Sequence, residues 1–492
     1  MFQKINCLFN TGGYYDVLLK KSGSEIYYAL CHNRCYKKIK AKLRLKGIIS
    51  RNKALENSFT YARKKLKRVS EMKKIVFIIK DFFNAGLERR VTNLSNELAN
   101  GGCSVIILAT HGVAESTIFR LHPNVSVVMV DEGKKTFTEK TPKLKDDAET
   151  IEKEKPQTIT PAAVHSGGKS KGGLKKSLKE RGYELVCSNN LFRSVYYKKL
   201  SKSVYRDWFL KQKPDVVVAF GLSRFQKAVF ATRGMGIKVF DAELLTLKKS
   251  ISQDKKTYSY YSGLLKKSNG IIVQTKEEGE YFGKEKDIKI HVINNPVKPG
   301  LPEAYRGKRD EVIVNYCRMT PQKNIELLID AFEKLHGEYP RYRLEVYGNA
   351  QDNEEREYKN RILRLVGERN LDDCVSVYPP AADVHKKVLK SAMFVSSSDY
   401  EGLSNSMLES MAIGLPCICT DCLGGGTREV MTDHENGLIV PMNDAEAMYR
   451  AMKEFIENPA LAQKCSQNAM KIREKLSVEK ITRQWLDVIE NN

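Results

Sequence analysis

Short, unbroken apolar runs constrain this chain more than any other feature. Lys74–Lys80 reads KIVFIIK, and Ser104–Thr110 and Val125–Val130 are similar. Such runs are far below the ~20 apolar residues that cross a bilayer. They are too continuous for a strand with one wet face. A strand covered on both sides fits, which means a parallel sheet between layers of helices. The intervening sequence supplies the helices. After a turn at Asn84–Gly86, Val91, Leu94 and Leu98 recur at helical spacing, and Gly101–Gly102 stop the segment. Strands are expected again at Asp215–Phe220, Ile237–Asp241, Gly270–Gln274 and Lys289–Ile293.

The Asn-Asn-Pro-Val stretch at 294–297, followed by Pro299–Gly300, breaks this series. A second one begins at strand Glu311–Arg318. It continues through helix Asn324–Leu335, strand Arg343–Tyr347, helix Asn353–Arg369 and strands Cys374–Tyr378 and Ala392–Ser396. Helix Asn405–Ile413, strands Pro416–Thr420 and Gly437–Val440 and terminal helices follow. The expected fold class is α/β with two parallel sheets, and a ligand is expected at the carboxyl ends of their strands. The expected organisation is a basic extension at 1–72, a first domain at 73–297, a second at 298–475, and a helix at 476–492 packing back on the first. Residues 132–182, rich in Lys, Thr, Pro, Gly and Ser, read as a flexible insertion.

Charge separates the two series. The chain of 492 residues carries +24. From Leu301 onward there are 25 basic and 31 acidic residues, a net of −6, so residues 1–300 hold +30. Met1–Met72 alone contributes +13, and Arg34–Arg68 has 14 basic residues against Glu56. This segment reads either as a solvated extension or as a basic amphipathic surface on anionic lipid. The start, MFQKINCLFNTGG, has no long apolar stretch of a secretory signal, and eleven irregularly spaced cysteines suit a reducing compartment. Cys417, Cys419 and Cys422 are close enough to suggest metal, but read better as part of a buried strand.

No P-loop or HExxH motif is present, the GxSxG string at Gly168–Gly172 lies in lysine-rich sequence rather than on a strand-to-helix nucleophile elbow, and no two aspartates are separated by one residue, so there is no DxD motif for a metal-bound nucleotide. A nucleotide diphosphate would be neutralised by side chains and helix dipoles instead. Arg318 and Lys323 lie in the loop after the first strand of the second series, where both cations can converge on one anion. Glu401 closes another strand-end loop. The amides of Gly402, Leu403, Ser404 and Asn405 form the start of the next helix, a natural place for phosphate or sugar oxygens. Glu409 lies about one turn further, in an apolar setting where a carboxylate needs a partner.

These residues resemble a known family. Arg318-x4-Lys323, Glu401-x7-Glu409, Gly414-Leu-Pro-Cys-Ile and Glu435-Asn-Gly-Leu-Ile-Val-Pro441 are similar to the motifs of family 4 glycosyltransferases. Asn84-Ala-Gly-Leu-Glu-Arg89 and Val292-Ile-Asn-Asn-Pro-Val297 are similar to the glycine loop and the hinge of that family. The resemblance implies a GT-B fold, two Rossmann-like domains facing across a cleft, and a retaining transferase without a metal or other cofactor. Its donor would be a UDP- or GDP-sugar, and its acceptor a glycan on a polyprenyl pyrophosphate, used for surface polysaccharide. Arg318 and Lys323 would hold the diphosphate, Glu401 the sugar near its anomeric carbon, and Glu409 the ribose. Gly86 would let the first domain approach the donor. Where many relatives have a His after the strand at 237–241, this chain has Phe240-Asp-Ala-Glu243, so Glu243 is a candidate substitute. Tyr378-Pro-Pro-Ala-Ala382 replaces a usual Gly near the base.

The expected location is cytoplasmic, peripheral to the anionic inner face of the membrane. The alternatives are a sugar-nucleotide epimerase of the same fold and a non-catalytic polyanion-binding protein. No nucleic-acid recognition module accompanies the charge, so no specific nucleic-acid partner is expected.

Overall fold

A computed structural model of the chain describes residues 2–10, 14–21, 24–31, 73–83, 86–117, 119–144, 190–242, 255–282, 287–350, 352–381 and 383–491. They fall into two compact units, 1–72 and 73–492. The first is an antiparallel meander of β1 (Phe2–Asn10), β2 (Tyr14–Lys21) and β3 (Ser24–Cys31), with Val17 opposite both Cys7 and Tyr28. The segment expected to be a basic extension therefore begins as a sheet. Its aromatic and β-branched residues (Tyr14, Tyr15, Val17, Ile26, Tyr27, Tyr28) favour extended backbone, a local preference that the charge count obscured. Arg34–Arg68 lies outside the described residues.

The second unit contains both α/β series. In the first series, β4 (Lys74–Phe82), α1 (Gly86–Asn100), β5 (Ser104–Val113), β6 (Val125–Asp131) and β7 (Thr136–Lys140) are followed by α2 (Asn190–Leu200) and α3 (Arg206–Gln212). Then come β8 (Val216–Ala219), α4 (Leu222–Ala231), β9 (Lys238–Ala242), α5 (Lys255–Leu265), β10 (Gly270–Val273), α6 (Lys276–Phe282) and β11 (Ile290–Val292). The eight strands lie in the order β11-β10-β9-β8-β4-β5-β6-β7 and are parallel except β7, which pairs antiparallel with β6 at the edge.

That edge strand corrects the expected insertion. Its first part, to Leu144, is described and built into the domain: Phe137 stacks on Trp208 with ring centres 4.9 Å apart, and Glu132 accepts from Tyr205 and Lys227. The polar, lysine-rich composition hid one short strand whose single aromatic supplies the anchor. Residues 145–189 lie outside the described residues.

The second series comprises β12 (Asp310–Arg318), α7 (Ile325–Glu338), β13 (Arg343–Asn349), α8 (Asn353–Glu368), β14 (Val375–Tyr378), α9 (Val384–Lys387) and β15 (Ser391–Ser396). It ends with α10 (Asn405–Ala412), β16 (Cys417–Thr420), α11 (Gly426–Val430), β17 (Leu438–Val440), α12 (Ala445–Glu457), α13 (Pro459–Ala469) and α14 (Val478–Asn491). Six parallel strands lie in the order β14-β13-β12-β15-β16-β17.

Alternating residues of each strand feed opposite faces. Val76 and Ile78 of β4 pack with Phe209, Phe225 and Tyr261, whereas Ile75, Phe77 and Ile79 pack with Val91, Leu94 and Leu98 of α1. The latter cluster continues without a break into Val314, Phe394, Met407, Leu408 and Met411 of the second half. One shared apolar core thus joins the halves. The C-terminal helix strengthens the joint. Trp485 is 4% exposed and meets Phe77 edge-on at 6.2 Å, and Lys238 Nζ donates to the terminal carbonyls of Ile489 (2.9 Å) and Glu490 (3.2 Å). Where α14 begins, Val297 N–H donates to Leu476 O (2.8 Å). Trp485→Ala is expected to lower the unfolding free energy by about 3–5 kcal/mol in a urea titration. A loss below about 1 kcal/mol would mean that α14 does not anchor the first sheet.

Candidate active site

The carboxyl ends of β12 and β15 deliver two loops side by side. The first runs from Arg318 through a single 3-10 turn, Pro321–Lys323, into α7, whose start is capped by Asn324. The second runs from Ser396 to Ser404, which caps α10 by accepting from Met407 N–H. Lys323 and Glu401 meet where these loops touch, as a salt bridge between side chains 12% and 15% exposed. Ser398 Oγ also donates to Glu401 Oε1 (3.1 Å). Burial works against the Lys323 ammonium, but the Glu401 charge outweighs it and holds the amine above its ordinary range.

Arg318 is not brought onto the same anion. Its guanidinium lies 3.7 Å from Glu355 of α8, with the side chain 55% exposed. The two cations expected to converge are therefore each held by a separate carboxylate. Each cation pairs with the carboxylate that the fold brings beside it.

Glu409 is 4% exposed. Its two oxygens have different partners: Oε1 accepts from Arg89 Nη2 of α1 in the first half, and Oε2 accepts from His385 Nε2 of α9 at 2.7 Å. Burial favours the neutral acid, yet His385 and Arg89 together pull the carboxyl below its ordinary range. Lys298, just past the hinge, feels the same charge.

The loop between Glu401 and α10 is clamped by the first half. Leu403 N–H donates to Gln274 Oε1 (2.8 Å), and Asn295 Nδ2 donates to Leu403 O (3.0 Å) and Gln274 Oε1 (3.2 Å). Gly402, Leu403 and Ser404 are buried, whereas Asn405 is partly exposed. This corrects the reading of four ligand-ready amides: that of Leu403 is already used, because a buried N–H must be satisfied. A Cβ on Gly402 would sit 2.9 Å from Gln274 Oε1, and one on Gly426 would overlap the Gly402 carbonyl oxygen. Gly426 needs glycine for close approach of backbone rather than for dihedral freedom, whereas a side chain at Gly402 would have to displace the Gln274 amide.

Behind the clamp, Arg90 donates to Asn295 Oδ1 and lies 5.6 Å from the Phe220 ring centre. Burial pushes its guanidinium down to about 10, with Glu278 opposing. Thr275 Oγ1 donates to Gly424 O (2.7 Å), and Glu429 accepts from Lys276 N–H (3.0 Å) and Asn294 Nδ2 (3.3 Å).

Gly86 opens α1, and a Cβ there would be 3.4 Å from Asn405 Nδ2, so the glycine of the first half does lie against the start of α10. Glu243 lies outside the described residues. Cys417, Cys419 and Cys422 are buried thiols whose pKa values burial raises. Sequence reasoning did not single out Gln274, Asn295, Lys298 and His385. Asn295 had a visible signal in the Asn-Asn-Pro hinge, whereas His385 had none.

The depressed Glu409 pKa has a testable sign. The stability it contributes is present above the ordinary carboxylate pKa and is lost as pH falls toward and through the lower native value. Glu409→Gln is therefore expected to destabilise the protein at pH 7 and to flatten the acid limb of a melting-temperature profile. An unchanged acid limb would contradict the ion-pair account.

Comparison with known proteins places this geometry. Residues 302–472 match the family model described as "Glycosyl transferases group 1". Poly(ribitol-phosphate) alpha-N-acetylglucosaminyltransferase of Staphylococcus aureus is 26% identical over 310 residues, covering 62% of this chain and 59% of that protein. A Campylobacter jejuni N-acetylgalactosaminyltransferase acting on a diphospho-undecaprenol substrate is 30% identical over 167 residues, covering 34% and 43%. The chain spans little more than half the length of the first of these curated relatives, and less of the second. Among solved structures, TarM superposes with a TM-score of 0.62 at 18% identity over 86% of this chain and 99% of its own. Anabaena HepE, solved with UDP and glucose, gives 0.60 at 14% over 86% and 100%. The chain therefore has the GT-B fold, and its second half matches the group 1 glycosyl transferases.

Proposed function

We propose that the protein is a retaining glycosyltransferase of family 4 that moves a hexose or acetamido-hexose from a UDP- or GDP-sugar to a glycan acceptor. The observation that carries this reading is the largely shielded Lys323–Glu401 pair, set at the carboxyl ends of two parallel strands beside the start of α10. Loss of the nucleoside diphosphate develops negative charge on its phosphate oxygens. Lys323 stands ready to neutralise it, and Arg318 can swing from Glu355 to join. The positive end of α10 adds to this field without a metal ion. When the donor takes Lys323, Glu401 is released toward the sugar, near the anomeric carbon. Glu409 takes the ribose hydroxyls, and Gly86 leaves room for the donor under the first half.

The relatives support a polymer-building role. Their names include transferases acting on poly(ribitol-phosphate) and on a diphospho-undecaprenol glycan. We read the acceptor of this chain as a glycan on a polyprenyl pyrophosphate. The +30 of residues 1–300 would hold the enzyme at the cytoplasmic face of an anionic membrane. Among the described residues, no helix is long and apolar enough to cross a membrane.

Lys323→Ala and Glu401→Ala are each expected to lower kcat at least a hundredfold while leaving the melting temperature within a few degrees. Near-normal turnover in a folded variant would remove that residue from the chemistry. Either UDP or GDP should raise the wild-type melting temperature by mass action, and a shift with neither would overturn the donor reading. An isomerised sugar nucleotide formed from donor alone would favour the epimerase instead.

Sedimentation of the full chain with vesicles tests the membrane contact. Binding is expected with phosphatidylglycerol vesicles and not with phosphatidylcholine ones, and should weaken as salt rises. Equal binding to both would sink the electrostatic account.

A further inference from the structure

Glu409 divides its two oxygens between partners of different kinds. Arg89, which meets Oε1, belongs to the first half, and its side chain is 28% exposed. His385, which meets Oε2, belongs to the same half as Glu409, and both side chains of this pair are 6% exposed. The His385 ring is itself fixed: Tyr316 meets it edge-on, with ring centres 5.7 Å apart and planes at 83°. Tyr316 in turn hydrogen-bonds α10, the helix that carries Glu409, donating to Ser406 O (3.0 Å) and pairing with Ser410 Oγ (2.7 Å). His385, Tyr316 and α10 thus form one polar scaffold built wholly within the second half.

We propose that His385 is a positioning residue for the donor: it fixes Glu409 Oε2, so that Oε1 is the oxygen presented to the cleft, and Arg89 occupies Oε1 until ligand hydroxyls replace it. This rests on the reading of Glu409 as the ribose carboxylate. The geometry separates the roles. Arg89 reaches Oε1 from across the cleft, the side from which a ligand would come. Arg89 is carried by the first half, whereas His385 is carried by the same half as Glu409, so a shift of the halves that separated Arg89 from Glu409 would leave the His385 contact in place. Without His385, the cations that remain beside the buried carboxylate among the described residues, Arg89 and Lys298, lie outside its own sheet, and it would turn toward them. A neutral imidazole is enough for the task, since a single N–H donated to the carboxylate sets its rotation.

The test uses the full-length protein and whichever of UDP and GDP stabilises the wild type. His385→Ala is expected to weaken nucleotide binding in calorimetry, and to raise the donor KM, by about tenfold to a hundredfold. The kcat should stay within about threefold, because His385 touches no reacting atom. His385→Gln, whose side-chain amide N–H can reach Oε2, is expected to bind within about threefold of wild type, whereas the shorter His385→Asn should behave like alanine. Unchanged affinity in a folded His385→Ala variant, or glutamine as weak as alanine, overturns the proposal. Should the alanine variant not fold, the glutamine-to-asparagine difference decides, and equal affinities overturn the proposal. Glu409→Gln separates the layers. If it leaves nucleotide binding unchanged, the donor reading of Glu409 fails. If it weakens binding while His385→Ala does not, only the positioning role fails.

Discussion

A carboxylate buried at the seam between two α/β halves cannot be left alone, and much of the cleft follows from how Glu409 avoids that. Removing an ion from water costs several kcal/mol unless a counter-charge and hydrogen bonds replace the solvent. Glu409 obtains one partner from each half, Arg89 and His385. The first brings α1 against α10 and so places Gly86 beside Asn405. The second ties α9 to α10 through the ring of Tyr316. The electrostatics that keep this glutamate ionised are thus the same forces that hold the site together.

The Leu403 clamp has the same character. A loop entering a helix carries amides that need acceptors, and Gln274 and Asn295 of the first half satisfy both backbone groups of one residue, Leu403. The loop that presents Glu401 therefore has its geometry set by residues more than 100 positions away in sequence. Lys323 and Glu401 neutralise each other beside the same loop. The site holds its charges in internal pairs. Arg318 on Glu355 is the most exposed example and Glu409 the most buried.

The sheets were legible because buried parallel strands leave a strong local mark. KIVFIIK could hardly be anything else, and the strand at Glu311–Arg318 was located to within one residue of β12. Lys323, Glu401 and Glu409 drew notice through their strand-end setting and their likeness to the motifs of a known family, and the structure places Lys323 and Glu401 together and Glu409 in α10. β7 was missed because lysine-rich surroundings masked a short strand, and the N-terminal meander because it was counted together with the basic stretch that follows it. His385 was missed for a different reason. A lone histidine beside two lysines in a one-turn helix looks like surface, and only packing against Tyr316 puts it inside.

Periodicity and motif spacing by themselves determined the α/β class, the division into two series near residues 294–300, and which charged residues lie at strand ends. These depend on interactions within a turn or a strand, which neighbouring residues encode directly. Tertiary structure alone decided the pairing of those charges: Arg318 went to Glu355 rather than beside Lys323, the Leu403 amide went to Gln274, and the two oxygens of Glu409 were split between halves. Charge pairing in a low-dielectric seam depends on which groups folding brings within a few ångströms, and sequence separation carries no information about that distance.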